Sequence, residues 1–165
     1  MKHKNLFFCL FIFSVYFIAS GQKYISTNEV CLFSFETRNG KKVMLVKEKD
    51  NKYVTYKFGS KEKIEFEFPE KSESSWKKFR YSEYHRGGGK QNDGMDLSHI
   101  SFVNEDYKYW IYQEYHSETD KIEIGIVITN LKTGKQTEIK GKLKTKKGSL
   151  FYLKEADLFE QDDEI

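Results

Sequence analysis

The sequence predicts an all-β fold, a single antiparallel sandwich or barrel of about nine strands. Three observations predict it. Short runs of β-branched and aromatic residues alternate with polar ones at a period of two. Turn-forming residues punctuate these runs at short, regular intervals, and no helix-length amphipathic segment separates them, which excludes a parallel α/β layout. Aromatic residues make up 16% of the chain, with 11 Tyr and 14 Phe, and side chains of that size suit a pleated, half-buried surface.

The elements follow in order. Val30 to Thr37 and Val43 to Val46 flank Asn39-Gly40, the strongest short hairpin signal in the chain. Lys49-Asp50-Asn51 turns into Tyr53 to Phe58, which Gly59 ends. Ile64, Phe66 and Phe68 then alternate with Glu65 and Glu67, so apolar side chains face the core and carboxylates face water, and Pro69 closes the strand. After the polar stretch Lys71 to Ser75, Trp76 to Tyr84 carries aromatics at an imperfect period that suggests a bulge. Residues 86 to 96 are rich in glycine. Ile100 and Phe102 resume the alternation, Glu105-Asp106 turns into Tyr107 to Tyr115, and Ser117 to Asp120 turns again. Ile122, Ile124, Ile126 and Ile128 form the cleanest alternation, and Thr133-Gly134-Lys135 leads into Thr137 to Leu143. Only Ser149 to Phe159 could form a short C-terminal helix, and the acidic end from Glu160 to Ile165 is expected to fray.

Ahead of this domain, Lys2, His3 and Lys4 precede an apolar run from Leu6 to Ala19, and Ala19 and Gly21 are small residues two apart. That is the anatomy of a secretory signal peptide over residues 1 to 21, with cleavage after Gly21 and a periplasmic or secreted product that keeps no stable membrane insertion. Residues 22–165 then form one domain. With Lys2 and Lys4 gone, 28 basic residues become 26 against 25 acidic ones, and the charge falls from +3 to +1. A near-neutral chain offers no general field to nucleic acid or a membrane surface. Cys31 is left without a partner for an intramolecular disulfide, so stability must come from the core.

The candidate binding residues gather around one glycine-rich loop. Tyr84, His85, Arg86, Gly87, Gly88, Gly89, Lys90, Asn92 and Asp96 lie within or beside it, and Arg80 precedes it on the same strand. Glycines let a backbone take positive φ and approach another molecule closely, while Arg86 and Lys90 add cationic donors. A long hairpin connection that needs glycine only to turn is the plainer reading. Gly-Gly-Gly-Lys invites comparison with a phosphate cradle, but Gln91 follows Lys90 where Ser or Thr is required. Asn92, Asp93 and Asp96 lack the further ligands and the downstream glutamate of a calcium loop.

Elsewhere the residue types point away from catalysis. Arg80, Tyr81, Tyr84, His85, Tyr112 and Tyr115 could line a wet aromatic surface, although aromatics at strand spacing are more often core. His85, His99 and His116 show no metal-ligand spacing, and Cys31 sits between Val30 and Leu32 as a small buried hydrophobe would. No catalytic residue, metal or cofactor is assigned.

The motifs Tyr-x-x-Tyr-Lys-Phe-Gly and Lys-Ile-Glu-Phe-Glu-Phe-Pro within Tyr53 to Pro69, with the stretch Phe79 to Phe102, resemble a family of small exported all-β proteins of Gram-negative bacteria that carries no assigned activity. In size, export and β content the chain is also similar to periplasmic lysozyme inhibitors. It departs from their Ser-Gly-x-x-Tyr motif, and Ile139-Lys140-Gly141 keeps two residues of their Thr-Lys-Gly. The expectation is a non-enzymatic envelope protein that binds a protein partner, as an inhibitor or immunity protein against a cell-wall hydrolase or toxin. A β-barrel carrier of a small ligand is the alternative, and a hydrolase using Cys31 or a histidine the third reading.

Overall fold

The computed structural model describes residues 24–88, 92–151, 153 and 158–162. The signal segment expected over residues 1 to 21 lies outside them, as do five of the eleven residues of the stretch 149–159 that could have been helical. The all-β class holds. One curled sheet forms a half-barrel, built from β1 (Glu29–Thr37), β2 (Lys42–Glu48), β3 (Val54–Gly59), β4 (Ile64–Phe68), β5 (Phe79–Arg86), β6 (Met95–Asn104), β7 (Tyr107–His116), β8 (Lys121–Asn130), β9 (Gln136–Gly148) and β10 (Glu160–Gln161).

The strand order is β10-β5-β6-β7-β8-β9-β1-β2-β3-β4. Two antiparallel meanders, β1 to β4 and β5 to β9, meet where β9 turns from one partner to another. Gln136 to Lys140 pair with β8, and Gly141 to Gly148 pair with β1. The Asn39-Gly40 hairpin forms as expected: Gly40 takes φ +82 and its N–H donates to the Thr37 carbonyl at 3.0 Å.

One element departs from the sequence reading. Trp76 belongs to a 3₁₀ turn, Glu73–Lys78, and β5 begins only at Phe79. The pairing of β5 with β6 runs from Phe79↔Phe102 to Arg86↔Met95 without a shift, so no bulge is present there. The irregular aromatic period comes from a change of element, and Trp76 is fixed by Nε1 donating to the Asn51 carbonyl at 2.8 Å.

The concave face is filled by side chains. Phe33, Phe35, Val54, Tyr56, Phe79 and Phe102 are among those buried there, with Ile100, Ile111 and Ile126 beside them. The edge strand β4 reaches across the curl. Phe68 stacks on Phe102 at 4.8 Å, Phe102 on Tyr109 at 4.7 Å, and Phe66 on Tyr109 at 5.4 Å. Each such pair adds about 1 kcal/mol beyond the area it buries, so a short ladder of rings ties the edge strand β4 to β6 and β7 across the curl. The chain after β9 returns over this face. Leu150, Leu153 and Phe159 enter the core, the Leu150 carbonyl accepts from Tyr81 Oη at 3.1 Å, and Gln113 Oε1 accepts from the Leu150 N–H at 3.0 Å. Within the acidic end expected to fray, residues 160–162 are held: Glu160 pairs with Arg80 at 2.8 Å, and the Asp162 N–H donates to the Tyr81 carbonyl at 2.7 Å.

The outward face of β1 to β4 is also covered. Residues 24–28 lie over it, and Tyr24 packs with Met44, Val46 and the partly buried Ile25, Cys31 and Ile64. Below them Lys57 Nζ meets Glu29 Oε2 at 2.8 Å and the Tyr24 carbonyl at 2.8 Å, with both ionic side chains buried. Glu29 also receives Lys71 at 3.2 Å, the Tyr53 hydroxyl at 3.1 Å and the Ser26 N–H at 2.8 Å. Burial alone would raise the Glu29 carboxyl, but hydrogen bonds from Lys57, the Ser26 N–H and Lys71 bring it down to about 2.

Candidate functional site

The glycine-rich connection leaves β5 at Arg86 and enters β6 at Met95, and it is braced against the turn that joins β7 to β8. Asp93 is the centre of that brace. Its Oδ1 accepts from Ser117 Oγ at 2.8 Å and from the Glu118 N–H at 2.7 Å, and its Oδ2 lies 3.3 Å from His116 Nδ1. The backbone bond from the Glu118 N–H, the Ser117 hydroxyl and the His116 ring hold the Asp93 carboxyl below its usual range. The Arg86 Nε donates to the Asp93 carbonyl at 2.7 Å, and the Gly94 N–H to Ser117 Oγ at 2.7 Å.

The glycines serve this brace differently from expectation. Gly87, Gly88 and Gly94 all lack positive φ. Gly94 is required for another reason: a Cβ there would stand 2.8 Å from the Gly88 nitrogen and 2.9 Å from its Cα. The close approach is to the protein's own backbone, at the neck of the loop.

The structure brings together only part of the predicted set. Arg86, Gly87 and Gly88 stand at the neck with the exposed Asn92 close by in sequence, while Gly89 and Lys90 lie outside the described residues. His85 pairs with Asp96 through Nδ1, directly across the β5–β6 register. Tyr84 points to the opposite, outward face and is 40% exposed. Arg80 is six residues from Arg86 along the strand, about 20 Å away, and is committed to Glu160 and to the carbonyls of Lys77 and Phe79. It does not belong to the loop. Of the aromatic surface, Tyr81 is core and Tyr112 is buried, with its hydroxyl donating to Glu138 Oε1 at 2.6 Å.

A second constellation escaped the sequence reading. On the outward face of β6 to β9, a groove of about 430 Å³ is lined by Leu97 and His99 from β6, Lys108, Trp110 and Glu114 from β7, Val127 and Thr129 from β8, and Gln136 from β9. His99 Nε2 is 2.8 Å from Glu114 Oε1, and its ring lies against Trp110 at 4.7 Å. Lys108 Nζ sits 4.8 Å from the centre of the same indole. The signal for this cluster was the Glu105-Asp106 turn. It makes Asn104 oppose Tyr107, and counting back places His99 opposite Tyr112, diagonal to Trp110 and Glu114.

No family model, curated protein or solved structure matches this chain. Each described histidine is paired with a carboxylate, His85 with Asp96, His99 with Glu114 and His116 with Asp93, while Cys31 packs in the cluster under Tyr24. Among the described residues no group of three or more His, Cys, Asp or Glu side chains converges as metal ligands would.

Proposed function

We propose that the chain is an exported, non-enzymatic binding protein whose partner is a protein of the cell envelope, in the manner of an inhibitor or immunity protein directed at a cell-wall hydrolase or toxin. The observation that carries this reading is the brace through Asp93. It ties the 87–94 connection to the 117–120 turn, so the described parts of both are ordered before any partner arrives. A preordered platform binds with less conformational entropy to lose, which is how a small rigid scaffold reaches useful affinity through a loop. Exposed Tyr84 beside the loop adds the kind of aromatic side chain that protein interfaces favour. The filled concave face supports this reading over a small-ligand carrier, because a carrier needs that volume for its cargo.

The test is capture of envelope proteins and lysozymes on immobilised chain, followed by enzyme assays of whatever is retained. A hydrolase or toxin that is retained and inhibited is the expected result, with binding about tenfold weaker or worse for Tyr84→Ala, Arg86→Ala and Gly94→Ala. Leu143→Ala, on exposed β9, serves as the control. Nothing retained above background, or affinity unchanged in all three loop variants, sinks the reading.

A further inference from the structure

We infer that the outward groove over β6 to β9 is a saccharide-binding site, taking one or two rings of an uncharged glycan. The inference rests on His99 and is independent of the loop. The His99 side chain is 3% exposed, its Nε2 faces the Glu114 carboxylate at 2.8 Å, and its Nδ1 is a buried polar atom with no hydrogen-bond partner. The Glu114 carboxylate satisfies one ring nitrogen and leaves the other, Nδ1, without a partner. A buried polar atom left unpaired is costly, so the site holds a standing preference for a ligand that brings a hydrogen-bonding group.

The rest of the lining narrows the ligand's chemistry. Glu114 and Lys108 oppose one another in charge, so the groove selects neither anions nor cations. A phosphate or carboxylate would place its negative charge against the Glu114 carboxylate. A hydroxyl is donor and acceptor at once. It meets Nδ1, the Gln136 amide and the Thr129 hydroxyl as donor or acceptor as each requires, and the Lys108 ammonium as an acceptor. Leu97, Val127 and the Trp110 ring supply apolar surface for the C–H face of a sugar, and the volume of about 430 Å³ is within the range of small-molecule sites. Because Trp110 packs on the imidazole, a hydroxyl bound at His99 changes the surroundings of the indole, and that change can be read.

The chain has two tryptophans, which makes the reading clean. The Trp76 indole N–H is tied to Asn51 at the 3₁₀ turn and acts as an internal reference, while Trp110 reports the groove. Indole ¹⁵N–¹H resonances of the exported chain are followed during titration with chitobiose, cellobiose and inorganic phosphate, and Trp110→Phe assigns the signals. The expected result is a saturable shift of the Trp110 resonance with a disaccharide, complete by about 10 mM, with Trp76 unmoved and phosphate without effect. Glu114→Gln and Gln136→Ala should each weaken that response about tenfold. His99→Asn should abolish it while the dispersion of the core resonances is kept. Arg86→Ala at the loop should leave it unchanged, so failure here and failure of the loop reading are told apart. No Trp110 shift with either disaccharide, a shift with phosphate instead, or a response indifferent to Glu114→Gln and Gln136→Ala overturns the inference.

Discussion

Replacing Glu29 by glutamine keeps the shape of the side chain and removes the negative charge that Lys57 faces in the outward face of β3. Lys57 Nζ would keep the Tyr24 carbonyl at 2.8 Å and, at 3.9 Å, the partly exposed Glu67 carboxylate. Breaking a buried ion pair by removing one partner costs about 3–5 kcal/mol, because the remaining charge stays desolvated. The Glu67 carboxylate offsets part of this, which places the expected loss near the low end, at about 3 kcal/mol. For a chain of this size that corresponds to a fall in Tm of roughly 6–12 °C. Equilibrium unfolding in urea followed by tryptophan fluorescence measures the loss directly.

The pH dependence supplies a second reading of the same site. The fold lowers the Glu29 carboxyl from 4.5 to about 2. A group lowered on folding contributes fully above its unfolded value, and the contribution is lost as pH falls through the folded one. The parent chain should therefore lose stability from about pH 5 down to about 2, and Glu29→Gln should lose less over that window. Replacing both partners, Glu29→Leu with Lys57→Met, should recover the parent's stability or exceed it, since the desolvation cost of both charges disappears. If Glu29→Gln stays within about 1 kcal/mol of the parent, or the double variant is the less stable one, the pair is not buried in the way described.

Two further outcomes follow from the core and the loop. Phe102→Ala should cost about 4 kcal/mol in the same urea assay, because its ring is 2% exposed and stacks on both Phe68 and Tyr109; a loss below about 2 kcal/mol would mean that the ring ladder does not tie β4 to β6 and β7. The Asp93 carboxyl is lowered in the folded chain, so the brace should hold above the ordinary aspartate range and open as pH falls through the folded value, seen as faster exchange of the Glu118 amide. Asp93→Asn should flatten that pH dependence, and an amide equally protected at every pH in the parent would contradict it.

Strand identity was legible wherever one face was buried and the other wet. Ile122 to Ile128 and Ile64 to Phe68 show this, since alternation is then forced by the pleat. The β2 run was legible as a strand but its faces were not, since Val43 and Leu45 enter the core while Met44 and Val46 pack under Tyr24 on the other side. A strand covered on both faces reads as an unbroken apolar run, and the sequence carries no sign of what covers it. The loop was visible because its residues are neighbours in the chain, yet Arg80 was grouped with it by that same proximity and lies at the far end of β5.

The groove is the opposite case. Its side chains come from four strands between residues 97 and 136, and they meet only through register. Registers differ in how readily a sequence yields them. The two-residue turn at Glu105-Asp106 fixes β6 against β7 outright, so the pairing of His99 with Glu114 was available to anyone who counted from it. The connection between β5 and β6 is too long to fix a register, and the pairing of His85 with Asp96 could not have been obtained that way. In a meander, the tight turns therefore deserve counting first, and polar residues that fall diagonal to one another across them are the first place to look for a site on the sheet's outward face.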